Sequence, residues 1–177
     1  GSLGPRCAAR NELENFVTPE RLRHVLIYAP ETGLFYWLQD CGTARAGDVA
    51  GCLSPEGYVL IGLDGRLYRA HRLAWLYVHG RWPDDDIDHA NRERADNRLC
   101  NLREATRSQN NGNSGLRDNN TSGIKGVSFN TRRQQWQAYI TENGKMRHLG
   151  WFPTKELAAD ARSAAAIAQW GEFARAA

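Results

Sequence analysis

Long apolar runs, paired cysteines and a strong charge imbalance are all absent from this sequence of 177 residues. No apolar run reaches the roughly 18 residues that a membrane-spanning helix needs, which excludes a transmembrane protein. The four cysteines form no C-x-x-C pair, so their spacing does not indicate a structural zinc site, and we expect reduced thiols. A composition with 41% hydrophobic and 10% aromatic residues excludes a largely disordered chain. We therefore expect a soluble, cytoplasmic protein with one ordinary domain or two small ones.

The net charge of +3 conceals two blocks of opposite sign. Residues 84–98 hold six acids against three arginines, a net charge of −3, and residues 103–150 hold eight bases against three acids, a net charge of +5. An acidic cluster beside a basic stretch is typical of a metal site next to a phosphate-binding surface, and solvated surface charge is an equally good explanation.

Cap and turn residues predict an N-terminal α+β region over residues 1–70. Pro19, which follows a threonine and precedes a glutamate, indicates the start of a helix over about residues 18–29. Asp64-Gly65 predicts a tight hairpin over about residues 58–70, because both turn positions need positive φ.

The polar centre of the chain follows a strand–loop–strand–helix pattern. A helix is predicted around residues 73–78, with His71 just before it. Ile87–His89 and Leu102–Ala105 have the pattern of short strands. Thr106 is separated from a glutamine by two residues, which is typical of a capping box at the start of the next helix.

The C-terminal part of the sequence predicts three strands and one helix. The strands cover 125–129, 136–141 and 147–152, and the helix begins after Thr154 and ends near Trp170. We expect its buried stripe to consist of Leu157, Ala161, Ala164, Ala165 and Ala168. An Asn- and Gly-rich linker, assigned to residues 114–120, precedes this module.

Asp88, His89 and Asn110 are expected to meet through the strand–loop–strand–helix pattern. One carboxylate and one amide oxygen are too few for an all-protein cation cage, but they suit Mg²⁺, which keeps waters and binds substrate phosphates. A neutral histidine beside such a metal can take a proton from water. These groups are sufficient for phosphodiester hydrolysis.

The central segment resembles the HNH endonucleases, in particular phage-borne ones, some of which act as homing endonucleases. The resemblance rests on His71-Arg72-Leu73-Ala74-Trp75, Asp88-His89, Asn97, Asn101-Leu102-Arg103, Thr106 and Asn110. It implies a ββα-metal nuclease core over residues 71–113, with Asp88 as a metal ligand, His89 as the general base and Asn101 bracing the loop. A phage-encoded member would act in the host cytoplasm.

Asn110 departs from the literal signature, because many members of the family have histidine at this third position. Its amide oxygen can ligate Mg²⁺ or Mn²⁺ and makes zinc a poorer candidate. The family implies products with a 5′-phosphate and a 3′-hydroxyl.

Residues 121–177 resemble the plant ethylene-response-factor type of DNA-binding domain. The matching stretches are Ser122-Gly123-Ile124-Lys125-Gly126-Val127, Trp136-Gln137-Ala138-Tyr139-Ile140 and His148-Leu149-Gly150-Trp151-Phe152. The resemblance implies a three-stranded antiparallel sheet that packs on one helix and lies in the major groove of double-stranded DNA.

Alternation along the strands separates an inner face from an open face that could contact DNA. Candidates for base contacts on the open face are Asn130, Gln135, Gln137, Tyr139 and His148. Candidates for phosphate contacts are Arg72, Arg107, Lys125, Arg132, Arg133 and Arg147. A plain solvated sheet face remains the alternative, as does a salt bridge for Arg72.

Together these patterns predict an α+β protein that is a metal-dependent DNA endonuclease, in which a sheet-type module supplies targeting. One alternative is a DNA-binding regulator with an inactive nuclease core, and another is an RNA-binding or adaptor protein. The sequence leaves open the target site, the choice between nicking and double-strand cleavage, and whether the protein is a monomer or a homodimer.

Overall fold

The computed structural model describes residues 17–116, 120–142 and 144–174. It divides into two compact units, with the boundary between Glu104 and Ala105. Both units combine helices with small antiparallel sheets, which confirms the predicted α+β class. No helix in the described ranges has the length and apolarity needed to cross a membrane. Cys7 lies outside these ranges, and Cys41, Cys52 and Cys100 are exposed free thiols.

The first unit opens with a short helix and a hairpin. Helix α1 (Pro19–Val25) begins at Thr18, whose side chain accepts a hydrogen bond from the backbone N–H of Arg21. Strands β1 (Leu26–Ala29) and β2 (Leu34–Trp37) then form an antiparallel pair.

The prediction of a helix continuing to about residue 29 is therefore wrong in its last turn. Leu26 and Tyr28 are buried while Ile27 is exposed, which is the alternation of a strand with one buried face. The apolar spacing of these residues fits both a helix and a strand, and pairing with β2 decides for the strand.

A second sheet contains β3 (Cys52–Leu53), β4 (Val59–Leu63) and β5 (Arg66–Arg69). The predicted hairpin between β4 and β5 is confirmed, with positive φ at both Asp64 and Gly65. Helix α2 (Ala70–His79) follows directly and ends at Gly80, which has left-handed backbone angles. His71 lies inside this helix, which corrects its predicted position before the helix.

The remainder of the first unit carries the acidic segment. Strand β6 (Asp86–His89) pairs with β7 (Leu102–Ala105), and a single 3₁₀ turn (Leu99–Asn101) precedes β7. The backbone N–H of Leu99 donates to the carbonyl of Pro30, so the β6–β7 loop is attached to the first hairpin. One apolar core contains residues from α1, β1, β2, β4, α2 and both of these strands.

The second unit begins with α3 (Arg107–Asn113), which has the predicted capping box at Thr106 and Gln109. Strands β8 (Val127–Asn130), β9 (Gln135–Glu142) and β10 (Lys145–Phe152) form an antiparallel sheet in the order β10-β9-β8. Helix α4 (Lys155–Trp170) packs on this sheet, and a 3₁₀ turn (Gly171–Phe173) follows. The predicted arrangement of three strands and one helix is therefore present. Asn143, assigned to the β9–β10 turn, lies outside the described residues.

The buried stripe of α4 differs from the predicted one. Leu157 is 48% exposed, and the buried positions are Ala158, Ala159, Arg162, Ala166 and Trp170. The helix is alanine-rich on several sides, so helical spacing alone does not distinguish one stripe from the next. Trp170 fixes the orientation, because its ring packs with Ala166 and Ile140.

Helix α3 is attached to the second unit by Lys125 and Trp170. The ammonium of Lys125 donates to backbone carbonyls of Asn111, Gly112 and Ser114, at the C-terminal end of the helix. The indole N–H of Trp170 donates to Ser108. The units thus divide before α3, whereas the sequence places the end of the nuclease core at 113. That core limit and the 114–120 linker stay predictions, and residues 117–119 lie outside the described ranges.

Lys125→Met is expected to loosen α3, because the variant keeps the apolar stem and loses a cation that satisfies helix-terminal carbonyls. We expect amide hydrogen exchange across residues 107–113 to become about tenfold faster. Hydrogen-exchange mass spectrometry measures this effect, with Lys145→Met on exposed β10 as the matched control. Equal exchange in the two variants would contradict the structural role of Lys125.

Candidate active site

The end of β6 brings an acid and a histidine together in the interior. Asp88 and His89 are each 5% exposed. Burial of a carboxylate requires a partner, and the partner is Arg103 on the neighbouring strand β7. Its Nε and Nη2 donate to Oδ2 of Asp88 over 3.0 and 2.8 Å. The sequence motif includes Arg103 but indicates no role for it, and only the pairing of β6 with β7 brings its guanidinium to Asp88.

The environment of His89 keeps the imidazole neutral. Burial lowers the pKa of His89 below its ordinary value, while a hydrogen bond to Asn97 and the charge of Asp88 oppose this effect. Nε2 of His89 lies 3.4 Å from Oδ1 of Asn97, and the amide nitrogen of Asn97 donates to the carbonyl of Ala95. Because a carbonyl oxygen only accepts, this arrangement favours the tautomer with the proton on Nε2 and the lone pair on Nδ1.

A second buried histidine stands against the first. The rings of His71 and His89 meet edge to face, with centroids 4.9 Å apart. His71 is 3% exposed, and its Nδ1 has no hydrogen-bond partner among the described residues. Burial lowers the pKa of His71 well below its ordinary value. His71 is therefore a neutral packing partner of His89.

Burial of His71 predicts acid sensitivity of the first unit. Its pKa is lower in the folded than in the unfolded chain, so its contribution to stability is complete above about pH 6.5 and is lost as the pH falls below that value. We expect His71→Asn to reduce the pH dependence of the unfolding free energy below pH 6.5 by up to about 1.4 kcal/mol per pH unit. Urea titrations between pH 5 and 7 measure this, with exposed His24→Asn as the control. An unchanged slope in His71→Asn would contradict the prediction.

Asn101 braces the loop that follows His89. Its Oδ1 accepts from the backbone N–H of Asn91 over 2.9 Å, and its Nδ2 donates to the carbonyl of Asp96 over 2.8 Å. The backbone carbonyl of Asn101 also accepts from the N–H of Ala90. One buried side chain thus joins both ends of the loop.

The two proposed metal ligands belong to different units. Asp88 lies on β6, and Asn110 lies in α3, where its backbone N–H donates to the carbonyl of Thr106. No group of three His, Cys, Asp or Glu side chains suited to a metal occurs in the described part of the chain. A carboxylate with an amide oxygen agrees in donor chemistry with an ion such as Mg²⁺, which fills its remaining positions with water and phosphate oxygens.

The open face of the second unit's sheet carries several of the predicted DNA contacts. Gln137 donates from Nε2 to Oγ of Ser128 over 2.7 Å, and Tyr139 pairs in register with His148. Beyond His148 the register shifts by one residue. Gly150 therefore pairs with Ala138, and Trp151 joins the open face opposite Gln137, a position that strict alternation misses.

Other predicted contacts have structural partners. The Arg133 guanidinium lies 4.7 Å from the Trp151 ring, and the Arg133 backbone N–H donates to Oδ1 of Asn130, so Asn130 supports a turn. Arg132 and Arg147 are exposed, and Gln135 is half-buried at the start of β9. The Arg72 guanidinium of the first unit lies 5.9 Å from the Trp82 ring.

A cavity of about 890 Å³ lies within the second unit. Its lining includes Arg107 and Lys125, two predicted phosphate contacts, together with Tyr139 and Trp170. The hydrogen bonds of Lys125 to the end of α3 make its ammonium a part of the cavity wall.

Comparison with known proteins supports the resemblance of the central segment to the HNH endonucleases. The family model described as HNH endonuclease matches residues 68–112. Protein 3.8 of Escherichia phage T7 is 33% identical over 81 residues, which cover 45% of this chain and 67% of that protein. An uncharacterized HNH endonuclease of Acanthamoeba polyphaga mimivirus is 31% identical over 124 residues, 69% of this chain and 63% of that protein. No solved structure matches.

The matched segment includes Asp88, His89, Asn101 and Asn110, so the family assignment and the buried acid–histidine pair concern the same residues. None of the comparisons supports an ethylene-response-factor-type domain, and for residues 121–177 that resemblance stays a prediction. The chain contains an HNH endonuclease domain.

Proposed function

We propose that this chain is a metal-dependent DNA endonuclease in which His89 is the general base. The observation that carries the proposal is the neutral imidazole of His89 beside the buried carboxylate of Asp88, inside the segment that matches the HNH family. A neutral imidazole accepts the proton of an attacking water, and positioned proton transfer of this kind accelerates a reaction by about 10²–10⁴-fold.

The residues around His89 have separate tasks in this proposal. Asn97 holds the proton on Nε2, so Nδ1 takes the proton of the water that attacks phosphorus. His71 packs against the imidazole and limits its rotation. Asn101 keeps the loop in place. As the water oxygen bonds to phosphorus, the bond from phosphorus to the 3′-oxygen breaks and the leaving 3′-oxygen takes a proton from solvent water. The products therefore carry a 5′-phosphate and a 3′-hydroxyl.

Asp88 of the first unit is the proposed ligand of Mg²⁺ or Mn²⁺, and for Asn110 of the second unit the role of metal ligand stays a prediction from the sequence. HNH nucleases generally use a divalent metal. A bound divalent cation supplies positive charge that stabilises the charge developing on the phosphate. Arg103 holds the Asp88 carboxylate in a fixed orientation, as partners of ligating carboxylates commonly do.

Double-stranded DNA is the proposed substrate, and the second unit is the proposed targeting module. Its open sheet face presents hydrogen-bonding and aromatic groups at Gln137, Tyr139, His148 and Trp151. Exposed Arg132 and Arg147, with Arg133, would hold phosphates. A sheet can enter the DNA major groove, whereas A-form RNA keeps that groove closed to it.

A DNA-binding regulator with an inactive nuclease core is the second candidate, and one observation favours it. The Arg103 guanidinium already neutralises Asp88, and this weakens the carboxylate as a cation ligand. Metal-independent, salt-sensitive binding without any cleavage would support this candidate.

Sequencing of cleavage ends on a complex DNA library tests the endonuclease proposal. With Mg²⁺ we expect ends that carry 5′-phosphates and share a sequence preference, and their spacing distinguishes nicking from double-strand cleavage. An Asp88→Asn/His89→Ala double variant provides the background. Ends at the same frequency in the wild type and in this variant would overturn the proposal.

A further inference from the structure

Two guanidinium groups share one aromatic ring beside the histidine pair. The Cζ atoms of Arg69 and Arg94 lie 4.5 and 5.0 Å from the centroid of the Tyr58 ring. Tyr58 directly precedes β4, Arg69 is the last residue of β5, and Arg94 lies in the loop after β6. Three segments of the first unit thus meet at the Tyr58 ring.

The positive charge of this cluster is poorly compensated. Both arginines are exposed, and neither forms an ion pair with a carboxylate of the described residues. Arg94 donates from Nη1 to the backbone carbonyl of Glu56 over 2.7 Å, which fixes its position without neutralising it. The Glu56 carboxylate interacts with both guanidinium groups electrostatically but is itself exposed to solvent. Two exposed positive charges that contact the same ring favour an anion beside them.

The cluster also adjoins the reacting histidine. The Tyr58 ring centroid lies 6.2 Å from that of His89 and 5.4 Å from that of His71. The charge of Arg94 acts on His89 and the charge of Arg69 acts on His71. The Tyr58 ring therefore links the two arginines to the proposed general base.

We propose that Arg69 and Arg94, stacked on Tyr58, form a binding site for a backbone phosphate of the nucleic acid next to His89. This inference rests on the proposed nuclease function and adds the residues that hold the substrate backbone at the reacting histidine. Arginine suits the task, since its planar fork of N–H groups matches phosphate oxygens and an aromatic ring orients it in advance. The sequence does not predict Arg69 or Arg94 as DNA contacts. The two residues are 25 positions apart in the sequence, and only the fold brings both of them to Tyr58.

The test measures binding and does not depend on cleavage. In a His89→Ala background, fluorescence anisotropy gives the affinity for a DNA duplex between 50 and 300 mM KCl, about the range where phosphate contacts dominate. We expect Arg69→Gln/Arg94→Gln to weaken binding about 10- to 100-fold and to reduce the slope of log affinity against log salt by about 1.8, or about 0.9 per lost contact.

Arg21→Gln/Arg45→Gln is the matched control, because it removes the same charge from arginines that are paired with Asp64 and Asp40. Equal affinities and slopes in the test and control variants would overturn the site. Circular dichroism checks the fold. If the glutamine variant fails to fold, Arg69→Lys/Arg94→Lys replaces it, with the salt slope expected to be preserved and the affinity reduced about 3- to 10-fold.

The two proposals fail separately. If the wild-type chain cleaves DNA but the glutamine variant keeps the wild-type salt slope, the phosphate site is contradicted and the nuclease function is not. If the wild-type chain does not cleave DNA but the salt slope of the glutamine variant decreases as expected, the nuclease function is contradicted and the phosphate site is supported.

Discussion

His89→Ala is expected to lower the single-turnover rate of DNA cleavage by about 10²–10⁴-fold, the usual contribution of a positioned general base. The imidazole is buried and neutral, so it can accept a proton at neutral pH, and the methyl group of alanine cannot. The rate is measured on an end-labelled duplex with Mg²⁺ and enzyme in excess.

His24→Ala is the control for this experiment, because His24 is an exposed histidine on α1. We expect its cleavage rate to match that of the wild type. A His89→Ala variant that folds normally and cleaves at the wild-type rate would eliminate His89 as the base.

Asn101→Ala is expected to destabilise the first unit by about 3 kcal/mol, since a buried amide loses two hydrogen bonds and leaves their backbone partners unsatisfied. Cleavage should also decrease, because the loop that carries Asn97 is no longer fixed beside His89. Urea unfolding followed by circular dichroism measures the stability, and the end-labelled duplex measures the rate.

Asn111→Ala is the matched substitution, because the Asn111 side chain is exposed. We expect its unfolding free energy to stay within about 0.5 kcal/mol of the wild-type value. If Asn101→Ala is equally harmless, the side chain does not brace the loop.

Local signals made much of the fold predictable. Asp64-Gly65 specifies a two-residue turn through its backbone preference, and Thr106 with Gln109 specifies a helix start through reciprocal hydrogen bonds. Both features are set by neighbouring residues, so tertiary contacts do not alter them. On β9 the predicted open-face residues Gln137 and Tyr139 alternate with Ala138 and Ile140, which are buried.

Features that depend on tertiary contacts were not predictable in this way. Residues 26–29 became a strand because β2 pairs with them, and the buried side of α4 was set by Trp170. Trp151 reached the open face through a register shift that no alternation rule contains.

The candidate site shows the same division. Asp88 and His89 adjoin in sequence, and the family motif identified them together with Asn101. The ion pair of Asp88 with Arg103 and the contact of His71 with His89 join residues 15 and 18 positions apart, and only the fold brings them together. The Tyr58–Arg69–Arg94 cluster similarly depends on three separate segments.

Relaxation of a supercoiled plasmid is the most direct measurement of the central claim, that this chain hydrolyses DNA with His89 and a divalent metal. The wild-type chain is compared with the folded His89→Ala variant, each in Mg²⁺ and in EDTA. We predict nicked or linear DNA only for the wild type in Mg²⁺. Intact plasmid in every reaction, or equal cleavage by the two proteins, would contradict the claim.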